Sequence, residues 1–134
     1  MKKQGLQPVI GKNPRILILG SLPGDESLRK QEYYGNPINM FWDVMSGILG
    51  KPAPATYPEK VEYLKRHGIA LWDVLCSAER EGSLDSNIKD EEFNDITKLI
   101  ADNPSIEVIV TNGGKAEKSF ILVFFNTENI VIFV

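Results

Sequence analysis

The sequence has few of the side chains that bind metals or form disulfides. Its 134 residues include one cysteine, Cys76, and one histidine, His67. A single cysteine excludes an internal disulfide, a four-cysteine iron–sulfur cluster and a cysteine-based zinc site. A single histidine likewise excludes a histidine-rich metal site. We therefore expect no bound metal.

Long apolar runs and an excess of basic residues are also missing. The longest apolar stretches, ILIL and IVIFV, are strand-sized, far short of the roughly 20 residues of a membrane span. The N-terminal MKKQGLQPVIGKNP is charged without an apolar run behind it, so no signal peptide is expected. The net charge of −3 disfavours a protein that coats nucleic acid, but it is compatible with an enzyme that grips a few phosphates. These features predict a cytoplasmic domain without a membrane anchor.

What the sequence does contain is an alternation of strand and helix signals. Short apolar runs predict strands at 15–21, 69–75 and 129–134, and a further strand over 107–114 that runs into a glycine pair. Periodic apolar positions predict helices at 38–49, 58–68, 93–103 and 115–125, and Ser27 is a candidate cap for a further helix over LRKQEYY. Residues 76–90 are polar and predicted to be a loop. Runs that are apolar on both faces indicate a parallel sheet between helices. We expect one α/β domain over 1–134 with a three-layer αβα arrangement, in which a short, mostly parallel four-stranded sheet lies between two layers of helices.

In such a sheet, functional sites lie beyond the carboxyl ends of the strands. Here those ends carry GSLPGDES, the polar segment after Trp72, and TNGGKAEK. GSLPG (20–24) suits a tight turn, but it is neither a phosphate-binding P-loop nor a dinucleotide fingerprint. Asp73 ends the second predicted strand, where it is a candidate general base or a partner for backbone amides. No cofactor is expected from these motifs.

The segment YYGNPINMFW (33–42) surrounds one asparagine, Asn39, with four aromatic rings. In one interpretation the rings belong to the core and Asn39 caps the following helix. In the other they form an aromatic box in which a flat ligand stacks, worth roughly 1–3 kcal/mol for a base, beside an amide that both donates and accepts. The residues alone leave both interpretations open.

Taken in order, GSLPG, YYGNPINMFW, GIALWDVLCSAEREGSLDSNI and TNGGKA resemble the uracil-DNA glycosylase superfamily. The resemblance covers residues 14–134 and is strongest to the hypoxanthine-DNA glycosylase branch. It implies the superfamily's α/β fold and a monofunctional enzyme of DNA repair. Such an enzyme flips a deaminated base out of DNA and hydrolyses its N-glycosidic bond, without a metal or cofactor. Hypoxanthine is the favoured base and uracil is possible.

The resemblance also assigns roles to individual residues. It places the catalytic asparagine on Asn39, which orients the water or the leaving base. Many members of the superfamily carry Asp or Asn where Leu22 stands, and leucine cannot orient a water. The stacking wall is expected from Tyr33, Tyr34 and Phe41, with base-recognition or structural groups from Asp73 and Asn112. The backbone turn that holds phosphate or base oxygens is expected from Gly20, Ser21, Pro23 and Gly24.

One departure from the superfamily pattern concerns its second motif, a Ser/Pro-rich loop that follows the last core strand. The sequence ends at Val134, where that loop is expected, so the domain is predicted to be truncated and to bind DNA weakly. Two alternatives to an active glycosylase therefore stay open. One is a catalytically impaired nucleic-acid or nucleotide-binding module of the same fold, and the other is an unrelated small α/β enzyme acting on a free nucleoside.

Overall fold

The computed structural model describes residues 2–123 and 129–134. Within them the strands are β1 (Lys2–Gln4), β2 (Ile16–Gly20), β3 (Ile69–Asp73), β4 (Leu75–Glu79), β5 (Lys89–Phe93), β6 (Val108–Thr111) and β7 (Ile130–Phe133). The helices are α1 (Asp25–Lys30), α2 (Phe41–Leu49), α3 (Tyr57–Arg66), α4 (Ile96–Asp102) and α5 (Gly114–Val123). A 3-10 turn covers Asp85–Asn87. Across the described part of the chain, every helix is too short or too polar to cross a membrane.

The main sheet contains four parallel strands in the order β3-β2-β6-β7. All four were predicted as strands, and their parallel pairing is confirmed. β2 occupies an inner position, with β3 on one side and β6 on the other. Because parallel strands run in the same direction, the polar segments that follow β2, β3 and β6 emerge at one edge of the sheet.

Helices cover both faces of this sheet, which gives the predicted three layers. On one face, Ile18 packs in a buried cluster with side chains of α2 and α3. On the other, Leu17 and Leu19 pack with side chains of α4 and α5. Successive side chains of a strand point to opposite faces. The run ILIL therefore lacks polar alternation because both faces of β2 are buried.

A second, antiparallel sheet of order β1-β4-β5 was not predicted. Residues 76–90 were expected to form a polar loop, and this prediction is wrong where β4 and the start of β5 lie. β5 has the sequence KDEEF and is mostly exposed, so it has none of the apolar alternation that marks a strand in sequence. Its strand conformation depends on hydrogen bonds to β4, whose Leu75, Ser77 and Ala78 are buried.

The first helix also differs from its prediction. α1 begins at Asp25 after Gly24 and ends at Lys30, so Ser27 lies inside the helix and does not cap it. The Ser27 hydroxyl instead accepts a hydrogen bond from the Gly35 N–H at 2.9 Å. This bond ties α1 to the segment 33–42. The predicted helix 115–125 corresponds to α5, and its last two positions lie outside the described residues.

Removing a fully buried side chain from β2 should destabilise the whole domain. Leu17 is 0% exposed and lies between the sheet and the α4/α5 layer. We expect Leu17→Ala to lower the free energy of unfolding by about 2–5 kcal/mol, since the change leaves a cavity in a close-packed core. Urea denaturation measures this value. The control is Ile48→Ala, at an exposed position on α2, which should change it by less than about 0.5 kcal/mol. Equal losses would contradict the assignment of the core.

Candidate active site

A cavity of about 270 Å³ opens at the edge of the sheet where β2, β3 and β6 end. It is lined by Gly20, Ser21, Leu22, Pro23, Gly24, Asp25, Glu26, Ser27, Tyr33, Tyr34, Asn36, Asn39, Asp73, Ser83 and Asn112. The candidate residues proposed from sequence, with the exception of Phe41, are therefore brought together around one cavity. The cavity also includes residues that sequence reasoning did not select, notably Asn36 and Ser83.

Asn39 both caps a helix and lines the cavity. Its Oδ1 accepts a hydrogen bond from the N–H of Phe41 at 2.8 Å, at the start of α2. Its backbone N–H donates to the carbonyl of Asn36 at 2.9 Å, so the turn has a fixed shape. Within the described residues its Nδ2 donates to no acceptor. An amide oxygen has two lone pairs, so Oδ1 can still accept from a water while Nδ2 donates to a ligand.

Tyr34 separates Phe41 from the cavity. The two rings stack with centroids 3.9 Å apart and an interplanar angle of 11°, and Phe41 is buried behind Tyr34. Tyr34 has a positive φ of 53°, which few residues other than glycine adopt. The face of the cavity is therefore formed by Tyr34, with Phe41 as its support. The sequence pattern alone could not show which ring of the segment lies in front.

The Tyr34 hydroxyl lies deep in the site. The amide Nδ2 of Asn112 donates to it at 3.3 Å, and the backbone N–H of Asn112 is held by the carbonyl of Leu19 at 2.8 Å. Burial raises the pKa of the Tyr34 phenol to about 12; the hydrogen bond from Asn112 acts against this shift, and the charge of Asp73 adds to it. The phenol is therefore neutral at physiological pH and can donate its proton in a hydrogen bond.

Tyr33 contributes part of the cavity wall, but its hydroxyl points elsewhere. It donates to the carbonyl of Gln7 at 2.8 Å, and the carbonyl of Leu6 lies at 3.3 Å. Burial raises the pKa of this phenol well above its ordinary value, and the charge of Asp73 acts in the same direction. Tyr33 thus attaches the N-terminal segment to the site and presents only its ring to the cavity.

Asp73 and Gly20 meet at the floor of the cavity. They are register partners in the β2–β3 pair, and Asp73 is 5% exposed. A Cβ built on Gly20 would lie 2.6 Å from Oδ1 of Asp73, which is closer than real contacts allow. Glycine at this position lets the carboxylate occupy the floor. Asn94, which sequence reasoning missed, holds the end of β3 by donating to the carbonyl of Asp73 at 2.8 Å.

The cavity rim is acidic, but its charges are paired. Asp25 forms an ion pair with Lys3 of β1, and Glu26 accepts from Arg29 at 2.6 Å. These cations reduce the repulsion that a phosphate would meet near the rim. The part of the chain that the structure describes contains no group of three or more His, Cys, Asp or Glu side chains arranged to hold a metal ion.

Arg80 and Ser83 were also missed from sequence. The Arg80 guanidinium donates to carbonyls of the 20–24 turn, and Ser83 Oγ accepts from the Asp25 N–H at 2.9 Å. Both residues follow β4, in the segment that was predicted to be a loop. Both lie within the motif GIALWDVLCSAEREGSLDSNI, but nothing singled them out there, because a buried arginine and a solvated one look alike in a polar stretch of sequence.

Comparison with known proteins gives consistent matches. Residues 8–133 match the family model described as the uracil DNA glycosylase superfamily. Hypoxanthine DNA glycosylases of Methanosarcina barkeri and Methanosarcina acetivorans are each 48% identical over 117 residues, covering 87% of this chain and 74% of the relative. A solution NMR structure of a candidate uracil DNA glycosylase from Methanosarcina acetivorans superposes with a TM-score of 0.90 at 41% identity. The superposition covers 100% of this chain and 83% of the other.

The raised pKa of Tyr34 predicts a loss of stability in alkali. Above pH 10 an unfolded tyrosine ionises, whereas the folded Tyr34 phenol keeps its proton until about pH 12. The unfolded state then binds fewer protons, so stability is fully present below pH 10 and falls as pH rises towards 12, by about 1.4 kcal/mol per pH unit for one such group. Urea denaturation between pH 8 and pH 11 measures the slope. Tyr34→Phe should make the slope shallower by the contribution of one phenol, at most about 1.4 kcal/mol per pH unit. An unchanged slope would contradict the burial of this phenol.

Proposed function

The chain belongs to the uracil DNA glycosylase superfamily, and we propose that it is a DNA glycosylase that releases a deaminated base, hypoxanthine in preference to uracil. The observation that carries this proposal is the convergence of Asn39, Tyr34 and Asp73 on one cavity beyond the carboxyl ends of the strands. The preference for hypoxanthine is supported by the two relatives of that name at 48% identity. A relative from Schizosaccharomyces pombe, 27% identical over 124 residues that cover 87% of this chain and 37% of the relative, is described as a G/U mismatch-specific uracil DNA glycosylase.

The reaction replaces the bond between the sugar C1′ and the base nitrogen with a bond from C1′ to a water oxygen. The base leaves with the bonding electron pair, and the sugar passes through a state of oxocarbenium character. The nucleotide must first leave the base stack, because C1′ cannot be reached within the duplex. The products are the free base and an abasic site.

Asn39 is proposed as the catalytic residue. Its Oδ1 retains a lone pair to orient the attacking water, and its Nδ2 can donate to the departing base. The hydrogen bond to the Phe41 N–H fixes the amide plane before the substrate arrives. A positioned group of this kind lowers the barrier without moving during the reaction.

The ring of Tyr34, supported by Phe41, is proposed as the surface on which the extruded base stacks. Its neutral hydroxyl can donate to a base carbonyl. The turn 20–24 lies beside it and can receive the phosphate or a base oxygen. In this arrangement Tyr33 and Asn112 act mainly by fixing the position of other groups.

Asp73 is proposed to distinguish each deaminated base from the base it derives from, hypoxanthine from adenine and uracil from cytosine. Hypoxanthine carries an N1–H and uracil an N3–H, whereas adenine and cytosine have an unprotonated nitrogen at the equivalent position. An ionised carboxylate can only accept hydrogen bonds, so Asp73 on the cavity floor would favour the first pair. A site built to bond an N–H rejects analogues that lack it far more strongly than a merely apolar pocket does.

Replacing Asn39 tests the catalytic assignment. We expect Asn39→Ala to lower the single-turnover rate on a duplex with one deoxyinosine by about 10²–10⁴-fold, the range of a positioned catalytic group. Strand cleavage after alkali measures the abasic product. Asn39→Asp keeps an acceptor oxygen but loses the Nδ2 donor. This variant can therefore still orient the water but cannot donate a hydrogen bond to the base, which separates the two roles.

The matched control is Asn36→Ala, which removes the bond from the Ile38 N–H at 3.1 Å in the same turn and leaves Asn39 intact. Equal losses in both alanine variants would assign the effect to the turn, not to the Asn39 amide. No base release by the unmodified chain at excess enzyme would overturn the glycosylase proposal. Retained DNA binding in that case would favour the binding-module alternative.

Replacing Asp73 tests whether its carboxylate recognises the N–H of the deaminated base. We expect Asp73→Asn to slow release of hypoxanthine by about 10- to 150-fold, which corresponds to the 1.5–3 kcal/mol of a hydrogen bond to a charged group. A duplex carrying deoxynebularine, a purine without the N1–H or the carbonyl, should be processed at a similar rate by both proteins. For each substrate, the rate of the unmodified protein is divided by the rate of Asp73→Asn. Comparing these two quotients cancels the difference in leaving-group chemistry between the substrates. Equal slowing on both substrates would contradict the proposed reading of the N–H.

A further inference from the structure

A buried arginine holds the site turn from the side of the second sheet. Arg80, just after β4, is 2% exposed. Its Nη2 donates to the carbonyl of Pro23, its Nη1 contacts the carbonyl of Leu22 at 3.5 Å, and its Nε donates to the carbonyl of Gly82 at 3.2 Å. Burying a guanidinium is costly unless its N–H groups are paired, and here three backbone carbonyls share it.

This contact decides which groups the turn presents. The peptide between Pro23 and Gly24 is trans, so its C=O and N–H point in opposite directions. Because the Pro23 carbonyl is directed at Arg80, the Gly24 N–H is directed away from it. Gly24 lines the cavity, and within the described residues its N–H has no acceptor. A substrate oxygen is therefore a suitable partner for this N–H.

The neighbouring residues support the same arrangement. Ser83, three residues after Arg80, accepts from the Asp25 N–H at 2.9 Å, and its Oγ would lie 3.2 Å from a Cβ at Gly24. Lys3 of β1 donates to the carbonyl of Gly82 at 2.6 Å and pairs with Asp25. β1 and the segment after β4 thus contact the site turn at consecutive residues, and Arg80 contacts the centre of the turn.

We propose that Arg80 is a positioning residue of the glycosylase reaction, holding the 20–24 turn so that the Gly24 N–H faces the substrate. This inference rests on the function proposed above. Arg80 acts only through the turn and does not itself touch the substrate. The guanidinium matters because it presents five N–H donors in a fixed plane and can hold several carbonyls at set positions. A lysine has three donors on a flexible stem, and an apolar side chain has none.

The first test compares Arg80→Met with Lys89→Met, which removes the same charge from an exposed position in the second sheet. Displacing a positioned group by about 1 Å can cost about 10²-fold in rate, so we expect a loss of that order for Arg80→Met and none for Lys89→Met. Single-turnover hypoxanthine release is measured under conditions in which each variant is folded by circular dichroism. A folded Arg80→Met with the unmodified rate would overturn the proposal.

A rescue experiment separates positioning from a general structural role. Arg80 also lines a surface cleft with Glu79, Glu81, Asn87 and Lys89, so a small cation can reach the space left in Arg80→Ala. Guanidinium ion, at a concentration that leaves the unmodified protein folded and active, should restore at least part of the lost rate. Urea at the same concentration should not, and neither should restore Asn39→Ala. Failure of guanidinium to restore any activity would count against the proposal.

Hydrogen exchange provides a readout that does not need catalysis. Arg80→Lys keeps the charge and is the variant of choice if the others do not fold. It should raise the exchange rate of the Asp25 N–H, which donates to Ser83 Oγ at the end of the turn, with no change in Lys89→Met. If the unmodified chain releases no base, the proposed function fails while this exchange result still decides the role of Arg80. Unchanged exchange in a folded Arg80→Lys would overturn the positioning role.

Discussion

The parallel pairing of β2 with β3 and β6 is the constraint on which the site depends. In this register Gly20 is opposite Asp73, and Leu19 is opposite Thr111. Three strands therefore end at the same level, and these strand ends with the segments that follow bring the 20–24 turn, the Asp73 carboxylate and the Asn112 amide to one cavity. A shift of one residue in either pair would turn the alternating side chains to the opposite face. It would remove Asp73 from the floor and disrupt both core clusters together.

The segment 33–42 serves the core and the cavity together, so the two interpretations of it are compatible. Phe41 and Trp42 are buried and begin α2, while Asn39 uses one oxygen lone pair to cap that helix. The same turn places the Asn39 amide and the Tyr34 ring at the cavity. A helix cap is thus also a device for fixing an amide plane. One hydrogen bond therefore both stabilises the start of α2 and orients the Asn39 amide at the cavity.

The sequence predicted the parts of the fold that depend on apolar burial. β2 and β6 were recognised because their side chains enter a core, and the turns after them because glycine and polar residues are concentrated there. β5 was missed because its charged sequence becomes a strand only through backbone pairing with β4. Arg80 was missed for a related reason, since its burial depends on carbonyls more than 50 positions away in the chain.

The site candidates divide along the same line. Asn39, Tyr34 and Asp73 were placed in one site by the resemblance to the superfamily, and Asp73 also by its position at the end of a predicted strand. Which aromatic ring would face the cavity could not be predicted, because the stacking of Phe41 behind Tyr34 depends on a positive φ at Tyr34. Local patterns thus identify which residues share a site. Long-range contacts determine which of them a ligand would meet.

The close approach of Gly20 to Asp73 has a consequence for redesign of the cavity. With 2.6 Å between a Cβ at residue 20 and the carboxylate, the floor leaves no room for a side chain there. The rim at Asn36 is different, because this residue is exposed and belongs to a surface turn. Substitutions at the rim would change the shape of the cavity while leaving the sheet and the core unchanged. Substitutions at residue 20 would mostly displace the Asp73 carboxylate. The cavity can therefore be adapted to other ligands by substitutions at its rim but not by substitutions at its floor.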